Sequence, residues 1–458
     1  MRKKTFVPIM VAASLALGIP AVYAKDTAPA AQSQQAFDNK IVKRINAENI
    51  YNDIAHLSSE PRVAATEAEW NAVQYIEDKL SSYGYRTEIQ PFTFESYQNP
   101  TVSLSVSNSP ISSNGLTYTP NGEVTGELVY AGLGHPSDFE GMDAAGKIAL
   151  IKRGELSFSE KVVNAANAGA SAVIIFNNSA GGFSGTLGAP NPNHVPAVAI
   201  SMADGERLAA QLGSGQTVSG TVSVSGGGIQ TKTSHNVIAV KEPTNKKKAT
   251  DQIIVVGAHH DSVAGSPGAN DDASGVGVTL ELARVMSNMP TDTELRFVTF
   301  GAEELGLLGS YAYVDSLTED ERERIVGMFQ LDMVGSRDAG ELVMFTVDGQ
   351  KNTVTDLSAA AGARTGTPLT YGREGRSDHV PFYYAGIPAA LFIHNPLEPW
   401  YHTPQDSLDK ISKEKLKETA DIVGAAVYQV ARPDTPALEK SKVAPKPVEY
   451  EQMVGGLR

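Results

Sequence analysis

The sequence predicts an α/β protein: a mostly parallel, mixed sheet flanked by helices and interrupted by an inserted β-rich domain. Three observations carry that prediction. From Asn236 onward, apolar runs alternate with helical segments; between Leu116 and Gly228 the texture changes to short β-prone runs among many Gly, Ser and Asn; and Lys413 to Val430 is amphipathic, suited to a closing helix.

In chain order, a basic cluster (Arg2, Lys3, Lys4) precedes an apolar run from Val7 to Gly18 and the small-residue segment Ala21-Val22-Tyr23-Ala24. The pattern predicts a secretory signal peptide over 1–24 and a secreted protein without membrane association after cleavage, because the apolar run is too short to span a bilayer. A polar leader, 25–39, follows. Helical periodicity then begins, and Thr66-x-x-Glu69 reads as a capping box ahead of Trp70, Val73, Ile76 and Leu80, with Gly84 as the stop. Tyr85 to Ser107 alternates in the manner of strands.

These signals divide the chain into a discontinuous catalytic domain, 40–115 and 229–432, an insertion, 116–228, and a polar tail, 433–458, in which Pro433, Pro436, Pro445 and Pro447 stand among charges. Within the insertion a helical stretch, Lys161 to Ala170, separates the apolar runs Ile148–Ile151 and Ala172–Phe176. The order of Gly146-Lys147, Ile148–Ile151, Arg153-Gly154, Phe158, Lys161 and Ala168-Gly169-Ala170 resembles the protease-associated (PA) domain.

Composition narrows the function. With 38 basic and 52 acidic side chains the formal charge is −14, which argues against nucleic acid as a partner. Cysteine is absent, so a metal site must be built from histidine and carboxylate. Residues of those types fall at the carboxyl ends of predicted strands: His259 and Asp261 after Ile253–Gly257, Glu303 and Glu304 after Leu295–Phe300, Asp332 at the close of Val326–Met333, and His402 on the loop after Ile387–Ile393. In open α/β sheets that edge is where ligands bind.

A hydrolytic site with two ions about 4 Å apart needs a bridging carboxylate. Asp271, short and stiff just before a helix from Ser274 to Met289, suits that role, although its Gly/Asx-rich segment also reads as a simple helix-capping turn. The pair Glu303-Glu304, taken alone, equally fits a solvated helix start. By strand alternation His260 points away from the face of His259.

Six segments, His259-His260-Asp261-Ser262, Pro267 to Gly275, Gly301 to Gly306, Gln330 to Met333, Ser377-Asp378-His379 and Tyr401-His402-Thr403, stand in the order found in secreted double-zinc aminopeptidases. With the inserted PA domain, the chain resembles those of Bacillus. The resemblance implies a zinc-exopeptidase fold with two zinc ions and peptides with free amino ends as substrates. It makes Asp271 the bridging ligand, His259 and Asp332 the other ligands of one ion, and Glu304 and His402 those of the other. It also implies Glu303 as general base, Asp261 as the group orienting His259, Tyr401 as a hydrogen-bond donor to the scissile carbonyl, Arg376 as a residue near the substrate, and a cis peptide bond between Asp271 and Asp272. Ala65 departs from the pattern, standing where relatives often have glycine. Two other functions share these features: a carboxypeptidase or dipeptidase on the same scaffold, and a non-catalytic binding ectodomain.

Overall fold

The computed structural model describes residues 36–438. The expected signal peptide, most of the leader and the tail beyond 438 lie outside the described residues. Two compact units emerge, one from 234 onward together with the chain up to Phe92, the other Thr93–Thr233. Among the described residues no helix is long and apolar enough to cross a membrane.

The first unit is built on an eight-stranded mixed sheet of β1 (Arg86–Gln98), β2 (Gly228–Lys241), β3 (Ile253–His259), β4 (Glu294–Phe300), β5 (Ile325–Leu331), β6 (Glu341–Thr346), β7 (Thr370–Arg373) and β8 (Ala389–Asn395). Their order across the sheet is β1-β2-β4-β3-β5-β8-β6-β7. β4, β3, β5 and β8 pair in parallel, whereas β2 and β6 join antiparallel. Every residue of β3, β4 and β5 is buried, the outcome expected when near-continuous apolar runs are covered by helices on both faces. Their carboxyl ends therefore deliver His259, the Glu303-Glu304 loop and Asp332 to one edge.

The helix Ala273–Ser287 is the central cover and is buried along nearly its whole length. Gly275 makes its seat possible: a Cβ there would stand 2.3 Å from the Leu331 carbonyl oxygen, so only glycine lets the helix start against the end of β5. The helix Ala47–Leu57 packs onto it through Ile50 and Ile54, and Lys413–Ala431 completes the same core.

Local details depart from the sequence reading. The leader ends earlier than residue 39, because 36–42 is helical and buried Asp38 pairs with Arg364 at 2.5 Å. The tail begins later than 433, since Gln252 brackets the backbone of Leu438 at 2.8 and 2.9 Å. The capping box at Thr66 is half formed. Thr66 accepts from the Glu69 N–H at 3.4 Å, but the buried Glu69 carboxylate turns to the Ala65 N–H at 2.5 Å and to the Ser234 hydroxyl. Ala65 adopts φ 60°, the left-handed region that glycine enters without steric cost.

The second unit starts at Thr93, upstream of Leu116, because Thr101–Val106 pairs antiparallel with Ser219–Ser225 from Val106↔Gly220 to Thr101↔Ser225. Its nine-stranded sheet has a parallel centre, Gly122–Tyr130, Ile148–Lys152, Ala172–Phe176 and Ala197–Ile200. Successive residues feed different cores: Ile148 and Leu150 one, Ala149 and Ile151 the other. The expected helix runs Phe158–Asn167, beginning early because Ser157 and Glu160 form a complete capping box.

Candidate active site

The strand ends bring His259, Asp271, Glu304, Asp332 and His402 into one cluster. Asp271 sends Oδ1 toward His259 Nε2 at 3.2 Å and Oδ2 toward His402 Nε2 at 3.1 Å. Asp332 Oδ1 lies 3.6 Å from His259 Nε2, and Glu304 Oε2 lies 3.0 Å from His402 Nε2. The peptide bond between Asp271 and Asp272 is cis, as the resemblance implies.

Hydrogen bonds do not account for the cluster. Asp271 Oδ2, Glu304 Oε1, Asp332 Oδ1 and His402 Nε2 are buried atoms with no hydrogen-bond partner, although polar atoms this deep are ordinarily paired. Imidazole nitrogens and carboxylate oxygens converging in this way are a donor set suited to zinc. The ligand atoms of His259, Asp271 and Glu304 lie within 4.8 Å of one another.

Asp272 also stands close to His259 and Asp332. Its oxygens are already engaged by the N–H groups of His259 at 3.1 Å, Gly275 at 2.8 Å and Met333 at 3.2 Å. That carboxylate therefore ties the ends of β3 and β5 to the central helix.

The electrostatics are those of a cluster short of positive charge. Burial raises the Glu303 carboxyl well above its ordinary value, and Asp378, Asp332 and Glu304 add to that against the opposing pull of His259. Burial and the Asp271 charge bring Glu304 to about 7. Burial alone would lower the His402 imidazole, but Asp271 and Glu304 raise it to about 10. Burial likewise opposes ionisation of Asp271, yet the facing imidazoles of His259 and His402 hold it below the usual carboxylate range.

Asp261 is placed differently from expectation. Its Oδ1 stands 3.6 Å from His259 Nδ1, beyond a hydrogen bond, while the carboxylate accepts the N–H groups of Glu303 at 3.0 Å and Glu304 at 3.3 Å. His260 leaves the cluster, its Nδ1 meeting the Thr299 hydroxyl at 3.1 Å. Ser377 donates to Asp332 at 2.7 Å, and Asp378 accepts from Gln330 at 3.2 Å. Tyr401 stacks on His402 with ring centroids 3.8 Å apart. Arg376 reaches the cleft but gives its guanidinium to Glu374 in two bonds of 2.8 and 2.7 Å.

Several supporting residues are absent from the sequence reading. Arg62, 1 % exposed, donates to the carbonyls of Leu57, His260, Pro267 and Gly268 at 2.7 to 2.9 Å and so fastens the loop between His259 and Asp271. Ala302, Met333 and His402 take φ of 52°, 55° and 57°, left-handed positions beside or at the functional side chains. The cleft beyond the cluster is walled by Met333, Phe345, Leu391, Ile393 and Leu397.

Known proteins match both units of the chain. Peptidase family M28 matches residues 236–427, and the PA domain matches 124–208. Aminopeptidase YwaD of Bacillus subtilis (strain 168) is 40% identical over 446 residues, covering 94% of this chain and 94% of that protein. The solved structure of an aminopeptidase from Aneurinibacillus sp. strain AM-1 is 59% identical, with a TM-score of 0.63 over 88% of this chain and 98% of that one. BSAP, a zinc aminopeptidase from Bacillus subtilis, is 40% identical, with a TM-score of 0.60 over 85% and 96%.

Proposed function

The chain belongs to peptidase family M28 and is a zinc-dependent aminopeptidase; from that premise we propose that it works with two zinc ions, takes Glu303 as general base, and is exported. The observation that carries the two-ion reading is the orientation of Asp271, whose two oxygens face two different imidazoles. His259 and Asp332 complete one set of ligands, Glu304 and His402 the other. Export rests on the basic and apolar pattern of residues 1–24.

Bound zinc supplies Lewis acidity and brings the pKa of water toward neutrality. The protein's own groups do the rest. Glu303, buried and fixed by the Asp261 contact to its N–H, takes a proton from the attacking water and passes it to the departing amine. Tyr401, held against His402, donates a hydrogen bond from its hydroxyl to the carbonyl oxygen as charge develops there. The acidic cluster receives the free α-amino group, and the apolar wall from Met333 to Leu397 favours an apolar first side chain.

A carboxypeptidase must instead pair a substrate carboxylate with a cation. Arg376, the basic residue lining the cleft, is already satisfied by Glu374, which disfavours that reading. The deciding experiment compares one dipeptide in free, acetylated and carboxyl-amidated forms. The free and amidated forms are cleaved, and the acetylated one is at least about a hundredfold slower, the loss of a contact of roughly 3 kcal/mol. Preferred cleavage of the acetylated form would move the assignment to a carboxypeptidase.

A further inference from the structure

Asn270 precedes Asp271, is 1 % exposed, and bonds to two neighbouring loops. Its Nδ2 donates to Glu398 Oε2 at 2.6 Å, while its Oδ1 accepts the Gly335 N–H at 2.8 Å. Its own N–H and that of Asp271 donate to the two oxygens of Asp406 at 2.8 and 3.1 Å. Glu398 and Asp406, both buried, stand at either end of the 396–406 loop that carries Tyr401 and His402. Gly335 follows Asp332 by three positions. One side chain thus joins the loop of Asp271, the loop after Asp332 and the loop of His402.

The amide also has a direction. Gly335 presents a donor and so requires an oxygen, whereas the Glu398 carboxylate requires a donor on the opposite side. Only an amide of this length meets both. A carboxylate of the same shape would set oxygen against oxygen at the Glu398 contact, where both side chains are buried. Surface substitutions elsewhere on these loops carry no such directional constraint.

We propose that Asn270 is a positioning residue whose clasp on Glu398 fixes the His402 loop against Asp271, and so sets the affinity of the ion that His402 and Glu304 share. The inference rests on the two-zinc reading above. It places the effect on one of the two ions, because the His259–Asp332 side is independently held by Asp272 and Ser377.

The test is zinc content and zinc affinity of the full-length enzyme, read by metal analysis against a competing chelator, together with turnover of a free dipeptide. N270D should keep one zinc and bind the other about 10- to 100-fold more weakly, the range for groups that orient a ligand. Its added negative charge would by itself tighten cation binding, so weakening points to geometry. The double variant N270D/E398Q should recover the second zinc, because the new amide at 398 donates to the new carboxylate at 270. If N270D fails to fold, E398A gives the same readout by releasing the loop alone, and it should lose the second zinc selectively. Wild-type affinity for both ions in N270D, or in E398A, overturns the proposal, as does equal loss of both ions in a folded variant or failure of the double variant to recover. A wild-type enzyme that holds a single zinc sinks the two-ion reading itself, which separates the two failures.

Discussion

The Asp261 carboxylate accepts the backbone N–H of Glu303 at 3.0 Å, tying the end of β3 to the loop that follows β4. One acidic side chain thereby sets the backbone position of Glu303, the proposed base, and, through the adjoining N–H, of Glu304, a proposed ligand. Replacing Asp261 with Asn puts an amide hydrogen where one of these acceptors stood. We expect kcat to fall about 10- to 100-fold with weaker zinc retention, as for other groups that orient metal ligands. Steady-state kinetics with metal analysis provide the check; an unchanged kcat would remove Asp261 from the machinery.

Glu303→Gln keeps the shape of the side chain and removes its capacity to accept a proton. Turnover should drop by about 100- to 10,000-fold, the usual weight of a general base, while both zinc ions stay bound. Zinc lost together with activity would make Glu303 a ligand and reverse the roles of the adjacent pair.

Exhaustive chelation should abolish hydrolysis, and titration with zinc should restore it with two ions taken up per chain. The metal-loaded protein should also melt at a higher temperature than the stripped one, because an ion that binds only the folded state stabilises it by mass action. Saturation at one ion per chain contradicts the role given to the two faces of Asp271.

Stability should decline in mild acid, in part through His394. Burial, aided by the charge of Lys415, lowers its imidazole to about 3, so the folded protein keeps it neutral while the unfolded chain protonates it near 6.5. The unfolded state therefore binds more protons between those values, and stability present above pH 6.5 is lost as the pH falls toward 3. From pH 6.5 to 5 this one group should cost on the order of 1.5 kcal/mol. Urea melts at the two pH values should show a flatter dependence for His394→Leu than for the native protein, and parallel profiles would refute the attribution.

His259, Glu303, Glu304 and Asp332 were legible because each sits at or just after the carboxyl end of an apolar run, a place that topology alone sends to one edge of the sheet. Asp271 and His402 stand on longer loops and were picked out by their motifs. Local signals also located the central helix to within two residues at either end, Ala273–Ser287 against Ser274 to Met289. What escaped is what works through the backbone or across long separations in sequence. Arg62 spends its donors on main-chain carbonyls, Asp406 accepts main-chain N–H groups, and Asn270 meets Glu398 across a separation of 128 residues. Such contacts leave no periodicity and no spacing. The start of the insertion was misread for a related reason: Thr101–Val106 alternates like any strand, and only its pairing with Ser219–Ser225 shows to which sheet it belongs.

The zinc-capable side chains come from separate segments between His259 and His402, and each is placed only when its strand has joined the sheet. A nascent or partly unfolded chain carries the same residues but no hydrolytic centre. Assembly of the first unit is thus itself a safety catch during synthesis: the amino ends of other chains can be attacked only after that unit is complete.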